Sequence, residues 1–135
     1  MKNSWPRRWL SGWIPWFACS GLIVQGAVLS PKDIPTVFSG INDVAVHVAE
    51  YFVLFLLSSW TFYNSGTGRL HKHYRGFAFC YGLFLGAVTE LLQYAAPERS
   101  PLWSDYFSNI GGTLLGFAGV VLIVRNKTGT RKTEA

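Results

Sequence analysis

Four long apolar stretches govern what this chain can fold into: Trp9 to Leu29, Val44 to Tyr63, Gly76 to Ala96 and Tyr106 to Val124. Each approaches the roughly 20 helical residues that cross a hydrocarbon core. The pattern predicts an all-α fold, an integral membrane bundle of four transmembrane helices forming one domain over residues 1–135. Composition agrees, because only 14% of residues are charged, against roughly 25% in an ordinary soluble domain. Basic residues precede the first stretch, as in a signal peptide. Its apolar part is longer than an h-region and has no clear small-x-small cleavage site, so it reads as a span, with Pro15 as a candidate kink.

Cytoplasmic loops carry an excess of Lys and Arg. Lys2, Arg7 and Arg8 precede the first stretch. Arg69, Lys72 and Arg75 lie between the second and third, and Arg125, Lys127, Arg131 and Lys132 follow the fourth. An even number of crossings separates these groups, so all three can share the cytoplasmic side of the cell inner (cytoplasmic) membrane, leaving only Lys32 and Arg99 outside. Both termini are then cytoplasmic, with 125–135 as a flexible tail of polar composition.

The formal charge of +5 does not indicate nucleic acid, because the basic residues cap apolar segments instead of lining a soluble face. Cys19 and Cys80 fall within apolar stretches without CxxC spacing and read as packing residues. His71 and His73, in a basic loop, fit solvation or anionic lipid better than a ligand pair. Trp5, Trp9, Trp13, Trp16, Trp103 and Tyr106 fit interfacial anchors.

Acidic residues show the opposite asymmetry. Asp33, Asp43, Glu50, Glu90, Glu98 and Asp105 fall in the outer loops or outer helix halves. Ionisable groups inside a membrane are expensive and are candidate functional sites. Asp43, His47 and Glu50 share one helix face at i, i+4, i+7, with Tyr51 beside them; Glu90 and Gln93 share another, and Asp105 and Asn109 a third. At about 1.5 Å per residue, Asp43, Arg99 and Asp105 ring a mouth, His47, Gln93 and Asn109 lie a turn below, and Glu50 with Glu90 form a floor about 10 Å down. Below that, Gly82 and Gly86 on one helix and Gly112 and Gly116 on the next allow close helix approach. The expected result is a blind pocket, closed inside and open outside.

In order and spacing these residues resemble the VanZ-like membrane proteins. The matching elements are Asp43 to His47, Glu90 to Gln93, Pro97 to Arg99, Asp105, and Asn109 to Gly112, within about residues 42–116. The family's Lys after the first Asp is Val44 here, so no anion-binding role for that Lys carries over. The resemblance implies a four-helix membrane fold and a link to low-level tolerance of teicoplanin, a glycopeptide acting outside the cell on lipid-linked wall precursors. It supplies no settled biochemical activity.

Three readings of the polar residues follow. They bind an envelope molecule, either a lipid-linked precursor or the glycopeptide itself, with Asp43, His47, Glu90, Gln93, Arg99, Asp105 and Asn109 as binding residues. Arg99 would engage phosphate or carboxylate, and the acidic surplus then requires a cation or protonated acids beside an anionic ligand. Alternatively they form an enzyme, with His47, Glu50, Glu90 and Asp105 as candidate catalytic groups. Carboxylates with His47 could hold a hydrolytic metal, but HExxH, GxSxG and a second outer histidine are all missing, so no metal or cofactor is expected. In the third reading the chain is a structural or regulatory small membrane protein whose polar cluster only fixes helix register. Membrane lipids are partners in every case.

Overall fold

The computed structural model describes residues 5–29, 42–96 and 103–133, with side chains over 12–29, 42–96 and 103–125. Every element in them is helical: α1 (Trp5–Val28), α2 (Asp43–Tyr63), α3 (Gly68–Lys72), α4 (Tyr74–Ala95) and α5 (Trp103–Thr133). Three segments are long and apolar enough to cross a membrane: Asp43–Tyr63, Tyr74–Ala95 and Trp103–Arg125. Within α1 the apolar part is shorter, Gly12–Val28. The helices fit a multi-pass membrane protein.

α2 is the central element. It packs against α1, α3, α4 and α5, while α1 and α5 do not touch among the described residues. Its apolar residues point both ways, with Leu54 and Phe55 fully buried and Phe52, Val53 and Trp60 facing out. The same inversion runs through the bundle. Large apolar side chains such as Ile14, Phe84, Leu91 and Leu115 are exposed, whereas Ser58, Thr61, Thr89 and Thr113 are buried. In lipid, association rests on close packing and interhelical hydrogen bonds, so small and hydroxylated residues belong inside.

α1 buries Gly12, Trp16, Ser20, Ile23 and Ala27, the spacing of one helical face. Trp16 Nε1 donates to Ser58 Oγ at 2.9 Å, Thr61 Oγ1 donates to the Gly12 carbonyl at 2.9 Å, and Tyr81 OH donates to Ser20 Oγ at 2.9 Å. Three hydroxyl or indole groups thus tie α1 to α2 and α4. α2 ends where Asn64 Nδ2 caps the Trp60 carbonyl at 2.8 Å. The chain then turns through Gly66, whose φ of 72° suits a residue lacking Cβ.

The expected glycine contacts form with one change of partner. A Cβ at Gly82 would meet Thr113, and one at Gly86 would meet Asn109, Tyr106 and Tyr51. Gly112 and Gly116 instead face α2, against Val48, Tyr51 and Phe55. The glycine edges of α4 and α5 therefore do not meet each other; α5 turns its edge to α2.

Two further features differ from the sequence reading. The basic loop contains the five-residue helix α3, and α5 continues to Thr133 through most of the segment read as a flexible tail. No proline interrupts 103–133, and the basic residues near its end suit the negative end of a helix.

Candidate functional site

The cluster forms where α2, α4 and α5 meet, at the end of the bundle holding the N-termini of α2 and α5 and the C-terminus of α4. Asp43 opens the first turn of α2 and Asp105 lies in the first turn of α5. A helix N-terminus favours negative charge, so both acids sit where the backbone supports them.

His47 is the hub. Its Nε2 is 4.0 Å from Asp43 Oδ1 on its own helix and 4.0 Å from Asp105 Oδ2 on α5. The other ring nitrogen, Nδ1, is 3.9 Å from Glu50 Oε2. These are ion-pair separations too long for hydrogen bonds. Asp105 is buried and accepts a bond from Ser104 Oγ at 3.1 Å through Oδ1. Asp43 is open, with its side chain 69% exposed.

One turn deeper, a packed layer closes the site. Tyr51 from α2, Gly86 from α4 and Asn109 from α5 are mutual neighbours, since a Cβ at Gly86 would lie 3.5 Å from Asn109 Cβ and 3.6 Å from the Tyr51 ring. Tyr51 OH shares a 3.0 Å hydrogen bond with Thr89 Oγ1. Four residues outward from these three positions come His47, Glu90 and Asp105, one per helix, so they form the next layer out.

Several polar atoms in these layers are sealed from solvent yet lack hydrogen-bond partners: His47 Nδ1, Glu90 Oε1, Gln93 Oε1, and both Oδ1 and Nδ2 of Asn109. Asn109 is 2% exposed and Gln93 3%. A buried polar group without a partner is costly, and such groups are rare in native proteins without a strain, ligand or water to explain them. Only a turn away, the polar groups of Tyr51, Thr89 and Thr113 are all bonded. The deficit is concentrated at the three-helix junction, where these five atoms lie; Ser59 Oγ, further along α2, is a separate case.

Of the expected binding residues, Asp43, His47, Glu90, Asp105 and Asn109 come together here, and Gln93 follows Glu90 on the same buried face. Arg99 lies outside the described residues, as do Lys32, Asp33, Pro97 and Glu98. Glu50 lies beside His47 on α2, its Oε2 3.9 Å from Nδ1, and the layer beneath His47, Glu90 and Asp105 holds the Tyr51–Thr89 pair with Gly86 and Asn109. Thr89 and Ser104 escaped the sequence reading, because one hydroxyl in an apolar helix carries no spacing signal. Comparison of the chain with protein families, with curated proteins and with solved structures gives no match.

Proposed function

We infer that the chain is a four-span protein of the cytoplasmic membrane, of the VanZ-like kind, with both ends on the basic side and the His47 end facing out of the cell. There it binds the polar part of an amphiphilic envelope molecule, a lipid-linked wall precursor or a teicoplanin-type glycopeptide, and so contributes to glycopeptide tolerance. The observation that carries the binding reading is Asn109, a fully buried amide with neither polar atom bonded, facing a junction that also holds the unpartnered Gln93 and Glu90 oxygens. Bonds made by a ligand would supply what the protein does not.

The orientation rests on the Lys and Arg distribution. The fourth crossing rests on α1, whose 24 residues suffice in length and whose polar face is engaged by α2 and α4. The glycopeptide setting rests on the family resemblance.

The test is lipoglycopeptide susceptibility of a host expressing wild type, Glu90→Gln or His47→Ala, with membrane abundance and detergent melting temperature recorded for each. Wild type is expected to protect. Both variants are expected to accumulate normally, melt within a few degrees of wild type and lose protection. Protection that falls only in step with abundance and melting temperature would instead make the cluster a packing device, the role that Tyr51 and Thr89 already fill one turn deeper.

A further inference from the structure

We propose that Asp43, His47 and Asp105 bind a divalent transition cation, of the Zn2+ or Mn2+ kind, at the outer layer of the three-helix junction. One ligand atom from each residue lies within 4.8 Å of the other two. A tetrahedral site with metal–ligand bonds of about 2.1 Å has edges of about 3.4 Å. The 4.0 Å separations from His47 Nε2 to both carboxylates therefore need to shorten by about half an ångström. The Asp43 side chain has the freedom to do this, being exposed and in the first turn of its helix. One imidazole with two carboxylates is a donor set for zinc or manganese, and less suited to calcium, which prefers an all-oxygen shell.

Two observations beyond the three-residue cluster point to the same ligand. His47 presents its other nitrogen, Nδ1, to Glu50 Oε2 at 3.9 Å, and that nitrogen is buried without a hydrogen bond. A metal-bound histidine characteristically offers its second nitrogen to a carboxylate, which fixes the ring. Asn109 is the second. A helical side chain leans toward its helix N-terminus, so Asn109 is aimed from below at the turn carrying Asp105, with both polar atoms free to bond. Three protein ligands leave a fourth position for water or for an oxygen of an incoming group, and Asn109 is placed to bond whatever occupies it. Glu50 adds a third carboxylate around His47, a concentration of negative charge that a dication would offset.

The proposal shares the location of the binding site above and rests on that reading only in placing a ligand at this end of the bundle. A bound cation would also let so acidic a site accept a phosphate or carboxylate.

The experiment uses the full-length protein in detergent micelles, stripped with chelator, then titrated separately with Zn2+, Mn2+ and Ca2+. Bound metal is counted by mass spectrometry after gel filtration. Wild type is expected to retain one equivalent of Zn2+ or Mn2+, but not Ca2+, and to melt higher with it. Asp43→Asn, which alters an exposed residue, is expected to keep the metal-free melting temperature and bind at least about 10-fold more weakly. Glu50→Gln is expected to weaken binding about 10- to 100-fold, and His47→Ala to abolish it. A variant carrying both His71→Ala and His73→Ala is expected to bind like wild type, since those residues lie at the opposite end. No retained equivalent in wild type, binding unchanged by Asp43→Asn and His47→Ala, or an equivalent lost only with His71 and His73 would each overturn the assignment. If protection against the lipoglycopeptide depends on Glu90 while no metal binds, the cation falls and the envelope-ligand reading stands; metal binding without protection reverses that outcome.

Discussion

Gly112→Ala is expected to destabilise the bundle by about 3 kcal/mol or more, seen as a large drop in detergent melting temperature and in membrane abundance. A Cβ at this position would collide with the backbone carbonyl of Val48 and lie 3.0 Å from Tyr51 Cβ. A carbonyl inside a helix cannot rotate aside as a side chain can, so α5 would have to move away from α2 along their whole contact. That contact is the most extensive between any two helices. Because Tyr51 and Asn109 flank it, the polar junction would be disturbed as well. The control is Gly119→Ala on the same helix, where a Cβ meets nothing within 4 Å; replacing a helical glycine that has room for a methyl gains up to about 1 kcal/mol. If Gly112→Ala melts like Gly119→Ala, the α2–α5 packing described here is wrong.

Trp16→Ala should be comparably severe, at about 3 kcal/mol, and it tests whether α1 belongs to the bundle. The Trp16 ring lies with centroids 4.7 Å from Tyr81 and 5.8 Å from Phe62, so it fills space between α1, α2 and α4. Its Nε1 supplies the bond to Ser58, a fully buried residue in the C-terminal half of α2. Removing the ring leaves both a cavity and an unbonded hydroxyl. Trp16→Phe would keep most of the packing and lose the hydrogen bond alone, lowering stability by about 1 kcal/mol. A melting temperature unchanged by Trp16→Ala would mean that α1 is not docked, leaving only the three helices that are long and apolar enough to cross.

The helices were legible because apolar runs of this length have few alternatives. Their starts were less so: α4 begins at Tyr74 and α5 at Trp103, two or three residues before the apolar stretches, because polar first turns still bond as helix. α3 has five residues, too few to display a period. Within one helix the site was readable as well. The i, i+4 step from Asp43 to His47 and the i, i+3 step from Glu90 to Gln93 place side chains on shared faces whatever surrounds them. What each face meets was not readable. That His47 reaches Asp105 and that Gly112 fits against Val48 both depend on how each helix is rotated about its axis. That rotation is fixed by packing across the bundle, to which many residues contribute slightly. The unpartnered state of Asn109 belongs to the same category, since its sequence position says it is polar but not that its neighbours are Tyr51 and a glycine.

If these polar groups are held for a ligand, the ligand-free protein carries their desolvation as a standing cost. The decisive measurement is the melting temperature of Asn109→Leu in ligand-free detergent, beside Tyr51→Phe. Leucine keeps the branched heavy-atom skeleton of asparagine, with two somewhat bulkier methyl groups, and removes two unbonded polar atoms, so Asn109→Leu should melt above wild type, by about 1–3 kcal/mol in stability. Tyr51→Phe breaks a satisfied bond and should melt below it. Asn109→Leu should nonetheless lose lipoglycopeptide protection. An Asn109→Leu protein that melts below wild type as Tyr51→Phe does would contradict this, because the amide would then be holding the helices together rather than waiting for a ligand.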